Sequence, residues 1–318
     1  MRKLPALLAV VGLSALTLVG CTSVPAAGCD RPASSGSSLD SLVTVDGDPG
    51  SAPEVELYTP FQVRSTSHTD LEAGDGAALT ATEQAALLDV TIVSGETGEV
   101  LIQTPYDDDI ARVAPMSQWY TPIPALEDAL ECATEGSRVV VGLAPGDILP
   151  EAAASIGLAE DESAVAVIDV RKAYLPRAAG ALQFNAGFNL PSVVRAADGT
   201  PGVIVPDAAA PSDLVVETLI RGDGPEVTGD VPVRVAYTGV LWDDKTVFDS
   251  SWGQAPVSFA LEDVVPGFAA GLEGQTVGSQ VMIVVPPDQG YGDAGQGSIP
   301  GGATLVFVVD ILGLDEIS

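Results

Sequence analysis

The residues in this chain whose types and spacing could do chemistry are Tyr237, Phe248 and Asp249. They lie within Val233 to Ser251, read as VRVAYTGVLWDDKTVFDSS. A core packs rings and aliphatic chains without help from a carboxylate. Asp249, directly beside Phe248, instead suits a concave apolar pocket with one polar group at its edge. Other chemistries have little to draw on. The chain holds one histidine, His68, in a polar stretch remote from this one. That argues against Ser-His-Asp or Cys-His catalysis in the second half, and His68 reads as a surface residue. Three scattered cysteines and one histidine make no zinc pattern.

The elements that must position these residues follow from periodicity. Val233, Val235 and Tyr237 alternate with small or polar residues, as a half-buried strand does. Asp243-Asp244-Lys245 is a polar turn, and Val247-Phe248 resume the apolar pattern. Upstream, Leu214 to Ile220 reads as a strand ending at the turn Gly222-Asp223-Gly224. Val257 and Phe259 alternate about Ser258. Pro266 sits in the first turn of a brief helix, with Phe268 and Leu272 four apart on one face and Gly274 at its end. Val281 to Val285 and Thr304 to Leu312 are almost continuously apolar and read as central strands. The expected fold is α+β, an antiparallel sheet wrapped around one short helix.

Five pieces in order carry a resemblance. YTG followed by FDSS is similar to the signature of the FKBP-type peptidyl-prolyl isomerases. Val264-Val265-Pro266-Gly267-Phe268 resembles that family's VIPGF segment. Val285-Pro286-Pro287 with Tyr291-Gly292 resembles its PP…YG loop, and Ile299-Pro300 with Ala303-Thr304-Leu305-Val306-Phe307 its IP…ATLVF ending. The resemblance covers roughly residues 213–314, one domain of ordinary size. It implies that Tyr237, Phe248, Val264, Val265, Phe268, Ile299 and Phe307 line a proline pocket, with Phe268 as its floor. The Tyr291 hydroxyl and the Val265 backbone N–H would bind substrate carbonyls, and Asp249 would orient Tyr237 or polarise the site. Taken singly, each Phe or Val reads as core packing; the ordered set points elsewhere. The implied activity is prolyl cis–trans isomerisation of proline-containing polypeptides. It needs no nucleophile, metal or cofactor, because no bond is broken. One departure is Val257, where the family often has Phe.

The start of the chain reads as an export signal over 1–20, with Arg2-Lys3 before the apolar run Leu4 to Val19. The run is short for a membrane span, which needs about 20 residues. Leu18-Val19-Gly20-Cys21 resembles a bacterial lipobox, with Cys21 lipidated. The protein would then sit lipid-anchored on the outer face of the cell membrane, outside the cytoplasm. Residues 21–50 are rich in Ser, Ala, Pro and Gly and read as a flexible tether. Cys29 and Cys132 would either pair as a disulfide or stand free. The formal net charge of −31 over 318 residues argues against nucleic acid as a partner.

The first half resembles a worn copy of the second. Asp46 to Gly50 matches Asp198 to Gly202, Gly74-Asp75-Gly76 matches Gly222-Asp223-Gly224, and Val167-Ile168-Asp169 matches Val308-Val309-Asp310. The expected organisation is two FKBP-like domains, 51–177 and 206–316, each a sheet around a short helix, joined by a linker at 178–205. Within that linker, Phe184, Phe188 and Leu190 could dock against either domain. Pocket residues differ between the copies. Thr91 or Ile92 faces Tyr237, Leu101-Ile102 face Phe248-Asp249, Ala166 faces Phe307, and Asp147 to Pro150 replace the Tyr291 loop. The first copy is therefore expected to be catalytically silent, a spacer or a module for a protein partner. Two readings stay open: an anchored isomerase that assists folding of exported proteins, or a non-catalytic chaperone or binding module.

Overall fold

The computed structural model describes residues 29–35, 39–184 and 187–317. The expected signal segment and Cys21 lie outside the described residues. Two antiparallel sheets dominate. The first contains β1 (Ser67–Glu72), β2 (Ala85–Ser94), β3 (Val100–Gln103), β4 (Ala114–Pro115), β5 (Arg138–Leu143) and β6 (Ala164–Ala173). Its order is β1-β5-β6-β2-β3, with β4 also on β2. The second contains β7 (Ala181–Leu182), β8 (Val215–Arg221), β9 (Val233–Leu241), β10 (Val247–Ser250), β11 (Val257–Phe259), β12 (Gln280–Val285) and β13 (Leu305–Leu314). Its order is β10-β9-β13-β12-β8-β7, with β11 also on β9.

Without β7 the two strand orders are the same, and so are the register breaks. Bulges fall at Asp70/Glu72 and Thr218/Ile220, at Leu87/Leu88 and Arg234/Val235, and at Ile92/Val93 and Gly239/Val240. A hydroxyl network recurs as well. The Ser137 Oγ accepts from Gly74 N–H at 3.0 Å while the Thr134 hydroxyl donates to the Gly74 carbonyl at 2.7 Å. Ser279, Thr276 and Gly222 repeat both bonds at 3.0 and 2.7 Å.

Period-2 alternation sorts side chains to the two faces of the second sheet. Val233, Val235, Val281, Ile283, Phe307 and Val309 face inward onto the helix α3 (Pro266–Leu272), which buries Phe268 and Leu272. Here α1 (Ala125–Leu130) and α2 (Pro150–Ile156) are the two longer helices of the first half, beside four-residue turns of helix at Leu39–Leu42 and Ser117–Tyr120. Met282, Val284, Val306 and Val308 face the other way, and a hairpin of Ser192–Arg195 with Pro201–Ile204 brings Val193 and Val203 onto them. Central strands buried on both faces need apolar residues at every position, hence the near-continuous runs in β12 and β13.

Several stretches differ from expectation. The tether expected over 21–50 is held against the first sheet in its described parts, residues 29–35 and 39–50. Val43–Asp46 pairs with Glu54–Leu57, and this hairpin covers the outer face of the first sheet, with Leu39 only 1% exposed. The linker expected at 178–205 supplies β7 and the hairpin of the second sheet. In both cases a sheet face of Val residues would otherwise lie open to water. Leu190 packs there, but Phe184 and Phe188 are exposed and dock on neither half. Cys29 and Cys132 form a disulfide with Cα atoms 5.5 Å apart. Beside it, Arg31 clasps Asp70 through two nitrogens at 3.0 and 2.6 Å. His68 is buried rather than on the surface, because the 31–35 segment lies over β1 and exchanges hydrogen bonds with it through Ser35. Among the described residues no helix is long and apolar enough to cross a membrane.

Candidate functional site

β9 and β10 build the site. Gly239 stands opposite Asp249 across the ladder, so Tyr237, two residues earlier on the same face, reaches the carboxylate. The Tyr237 hydroxyl donates to Asp249 Oδ2. Asp249 Oδ1 accepts from the Ser250 N–H at 2.9 Å. Burial pushes the Tyr237 phenol well above its usual range, and the hydrogen bond to Asp249 adds to this, so it remains a donor. Gly239 makes room for Phe248. A Cβ there would stand 2.4 Å from the Phe248 Cζ.

The rings then close on one another. Phe248 meets Phe307 edge-on at 5.5 Å, Phe307 meets Phe268 at 4.9 Å, and Phe268 meets Tyr237 at 6.4 Å. Such tilted pairs suit the ring quadrupole. Phe259 completes the set, 5.7 Å from both Tyr237 and Phe268. Sequence reasoning did not assign Phe259 to the site. Its alternation with Val257 was the available signal, since it puts Phe259 on the inner face of β11.

The other expected residues converge on the same cluster. Ile299 is buried in it, and Val264, Val265 and Tyr291 are half-buried against it. Val265 is the N-cap of α3, in extended conformation. Its carbonyl accepts from Phe268 and Ala269 N–H at 3.0 and 3.1 Å, while its own N–H meets no acceptor among the described residues. Tyr291 sits in a loop pinned by Gly292 N–H to the Pro287 carbonyl and Gly302 N–H to the Gly292 carbonyl, at 2.8 and 2.9 Å. The result is a cluster of rings, partly exposed at Tyr237, Phe248 and Phe259, with a phenol–carboxylate pair, the Val265 N–H and a second phenol around it. No group of three or more potential metal ligands occurs among the described residues.

At the corresponding place in the first half aliphatic side chains stand instead of rings. Registering β2 against β6 puts Val90 opposite Ile168, as Tyr237 stands opposite Val309. Val90, not Thr91 or Ile92, is therefore the counterpart of Tyr237: the bulges of the two halves match, and the stretch from Gly76 to Leu87 is one residue longer than that from Gly224 to Arg234. Leu101, Ile102 and Ala166 occupy the Phe248, Asp249 and Phe307 positions. Met116, Tyr120, Ile123 and Ile148 are buried in that core, and α2 stands where the second half has the Tyr291 loop.

Known proteins agree with this geometry. The FKBP-type peptidyl-prolyl cis-trans isomerase family matches residues 224–312. A probable FK506-binding protein of Corynebacterium glutamicum is 36% identical over 113 residues, spanning 35% of this chain and 96% of the relative. An FK506-binding protein of Streptomyces anulatus is 36% identical over 117 residues, spanning 35% of this chain and 94% of the relative. The isomerase FkpA of Escherichia coli is 39% identical over 100 residues, spanning 31% of this chain and 37% of the relative. A chain that covers nearly the whole of such a relative, and that folds its Tyr, Phe and Asp into one ring cluster, belongs to the FKBP-type peptidyl-prolyl cis-trans isomerases.

Proposed function

We propose that this protein isomerises X-Pro bonds in exported polypeptides at the outer face of the membrane, held there by lipid on Cys21. The observation that carries the catalytic part is the ring cluster of the second half, with Tyr237 bound to Asp249 and the Val265 N–H left without an acceptor among the described residues. Rotation about an X-Pro amide is opposed by a barrier of ~18–20 kcal/mol, because resonance keeps the peptide planar. The twisted amide has lost that conjugation. A dry apolar wall favours it over the planar form, which water solvates better. Val265 N–H and the Tyr291 hydroxyl are the donors for the flanking carbonyls, and Phe268 is the surface beneath the proline ring.

The two halves are read as two FKBP-like domains, the first silent. Its strand order and bulges repeat those of the second, while packed aliphatic side chains take the place of the pocket. The export and anchor reading rests on the basic-then-apolar start and the Gly20-Cys21 pair.

The test assays the mature full-length chain on short X-Pro peptides beside Phe248→Ala and Asp249→Leu. Both changes should bring the rate close to the uncatalysed one. Activity that survives Phe248→Ala undiminished would place catalysis elsewhere, the first half included, and an inactive wild type would sink the isomerase reading. Palmitate labelling in a bacterial host tests the anchor, with Cys21→Ser expected to remove the label.

A further inference from the structure

Asp315 lies one residue beyond β13 and past the residues that match the family. Its side chain is 5% exposed and gathers four donors. Arg234 donates from Nε to Oδ1 and from Nη2 to Oδ2, both at 3.0 Å. Ser258 Oγ donates to Oδ2 at 2.5 Å, and the Tyr174 hydroxyl donates to Oδ1 at 2.7 Å. Three of these donors belong to the second half. Tyr174 comes from the first.

Tyr174 is fully buried and fixed from both sides. Its N–H donates to the Ala85 carbonyl at 3.0 Å, and its carbonyl accepts from Gln84 Nε2 at 2.8 Å, both in the first half. Its ring lies under the Arg234 guanidinium, 4.7 Å from Cζ to the centroid, in cation–π geometry. It also occupies the space above Gly313, where a Cβ would come within 2.6 Å of the ring. The hydroxyl is thus a rigid projection of one half into the other.

The network ends next to the site. Ser258 is the middle residue of β11, a strand of three residues paired to β9 alone, with Arg234 directly opposite Ser258. An edge strand this short has few ladder bonds of its own. Ser258 points out to Asp315, and its neighbour Phe259 points in to Tyr237 and Phe268.

We propose that Tyr174 is a positioning residue for the isomerase site: through Asp315 and Ser258 it fixes β11, and so holds the Phe259 ring against Tyr237 and Phe268. The proposal rests on the isomerase reading of that site. It gives the first half a part in catalysis without a pocket of its own.

The experiment measures kcat/KM of the mature full-length chain on an X-Pro tetrapeptide for wild type, Tyr174→Phe, Ser258→Ala and the double variant. Tyr174→Phe keeps the ring and its packing and deletes only the hydroxyl; Ser258 is exposed, so its loss leaves the fold intact. Each single change should lower kcat/KM about threefold to tenfold, less than the full effect of one hydrogen bond to a carboxylate, because the bond acts on the site only through β11. The double variant should fall no further than the weaker single one, because both act through one carboxylate. The Phe259 ring resonances should shift or broaden in both single variants. Tyr174→Phe at wild-type kcat/KM, even with a lowered Tm, would overturn the proposal, as would a double variant in which the two losses multiply. An inactive wild type sinks the isomerase reading and this proposal with it; active but unchanged variants sink this proposal alone.

Discussion

Asp249 is the residue whose surroundings explain its presence most directly. It is exposed and takes the Tyr237 proton donor and the Ser250 N–H. Replacing it by Leu leaves a half-buried phenol without an acceptor beside an enlarged apolar rim. A hydrogen bond to a charged group contributes about 1.5–3 kcal/mol, so Asp249→Leu should lower kcat/KM roughly tenfold or more, measured on X-Pro tetrapeptides. Gly239 is equally constrained, by space rather than charge. Its missing Cβ leaves room for the Phe248 ring at a distance no real contact tolerates. Gly239→Ala should push that ring away from Phe307. The expected outcome is a stability loss of about 1–3 kcal/mol by urea unfolding, the usual range for overpacking, together with reduced isomerase activity. Unchanged activity would mean that Phe248 is no part of the pocket wall.

At the level of strands and loops, the chain invests in covering sheet faces. Each sheet has one face on its helices and the other under a two-stranded hairpin. The Cys29–Cys132 disulfide closes the segment before the first hairpin onto the region after α1, a span of 103 residues. Cross-links of this kind restrict the unfolded chain and typically stabilise by about 2–4 kcal/mol. Cys29→Ser with Cys132→Ser should therefore lower the unfolding free energy of the first half by about 2–4 kcal/mol, read by denaturant titration, with kcat/KM unchanged. A loss of activity equal to that of Tyr174→Phe would instead tie the disulfide to the site.

Across the whole molecule, burial acts on the phenols in one direction. Tyr106 is pushed up to about 12, and Tyr120, Tyr174 and Tyr237 still further above the ordinary range, in each case chiefly by burial. A phenol raised in the folded state holds its proton more tightly there than in the unfolded chain, where it loses it near pH 10. Its stabilising contribution is complete below about pH 10 and is lost as pH rises through the folded values. Tm should accordingly fall steeply above about pH 10. Phenolate absorbance from these four residues should emerge with unfolding rather than ahead of it. Absorbance that rises to completion in a chain still folded by circular dichroism would contradict their burial. Isomerase activity should show no loss from Tyr237 ionisation below that pH.

The motif pieces and the period-2 pattern were enough to read the second half from sequence. The resemblance of their motifs to the family's assigns Tyr237, Phe248, Phe268 and Phe307 to one pocket, while strand alternation and an i, i+4 helix face fix only the local direction of each side chain. Local pattern could not reach facts that depend on register or on distant segments. The ladder register makes Val90, not Thr91 or Ile92, the counterpart of Tyr237, because the loop before β2 is one residue longer than the loop before β9, and that extra residue cannot be placed without the strand pairing. The Ser- and Pro-rich start read as a tether because its few Val and Leu residues form no strong pattern; only the open sheet face beneath them makes the hairpin worth forming. Phe259 needed its neighbours in space before it could join the site. Tyr174, Arg234, Ser258 and Asp315 stand far apart along the chain, and nothing in their spacing announces a cluster. The Arg234–Asp315 bonds, 81 positions apart, form only when the second sheet is assembled, and the Tyr174–Asp315 bond, 141 positions apart, only when the two folded halves meet. Sequence determined what each strand and helix would bury, and tertiary structure decided which buried surfaces and polar groups would meet.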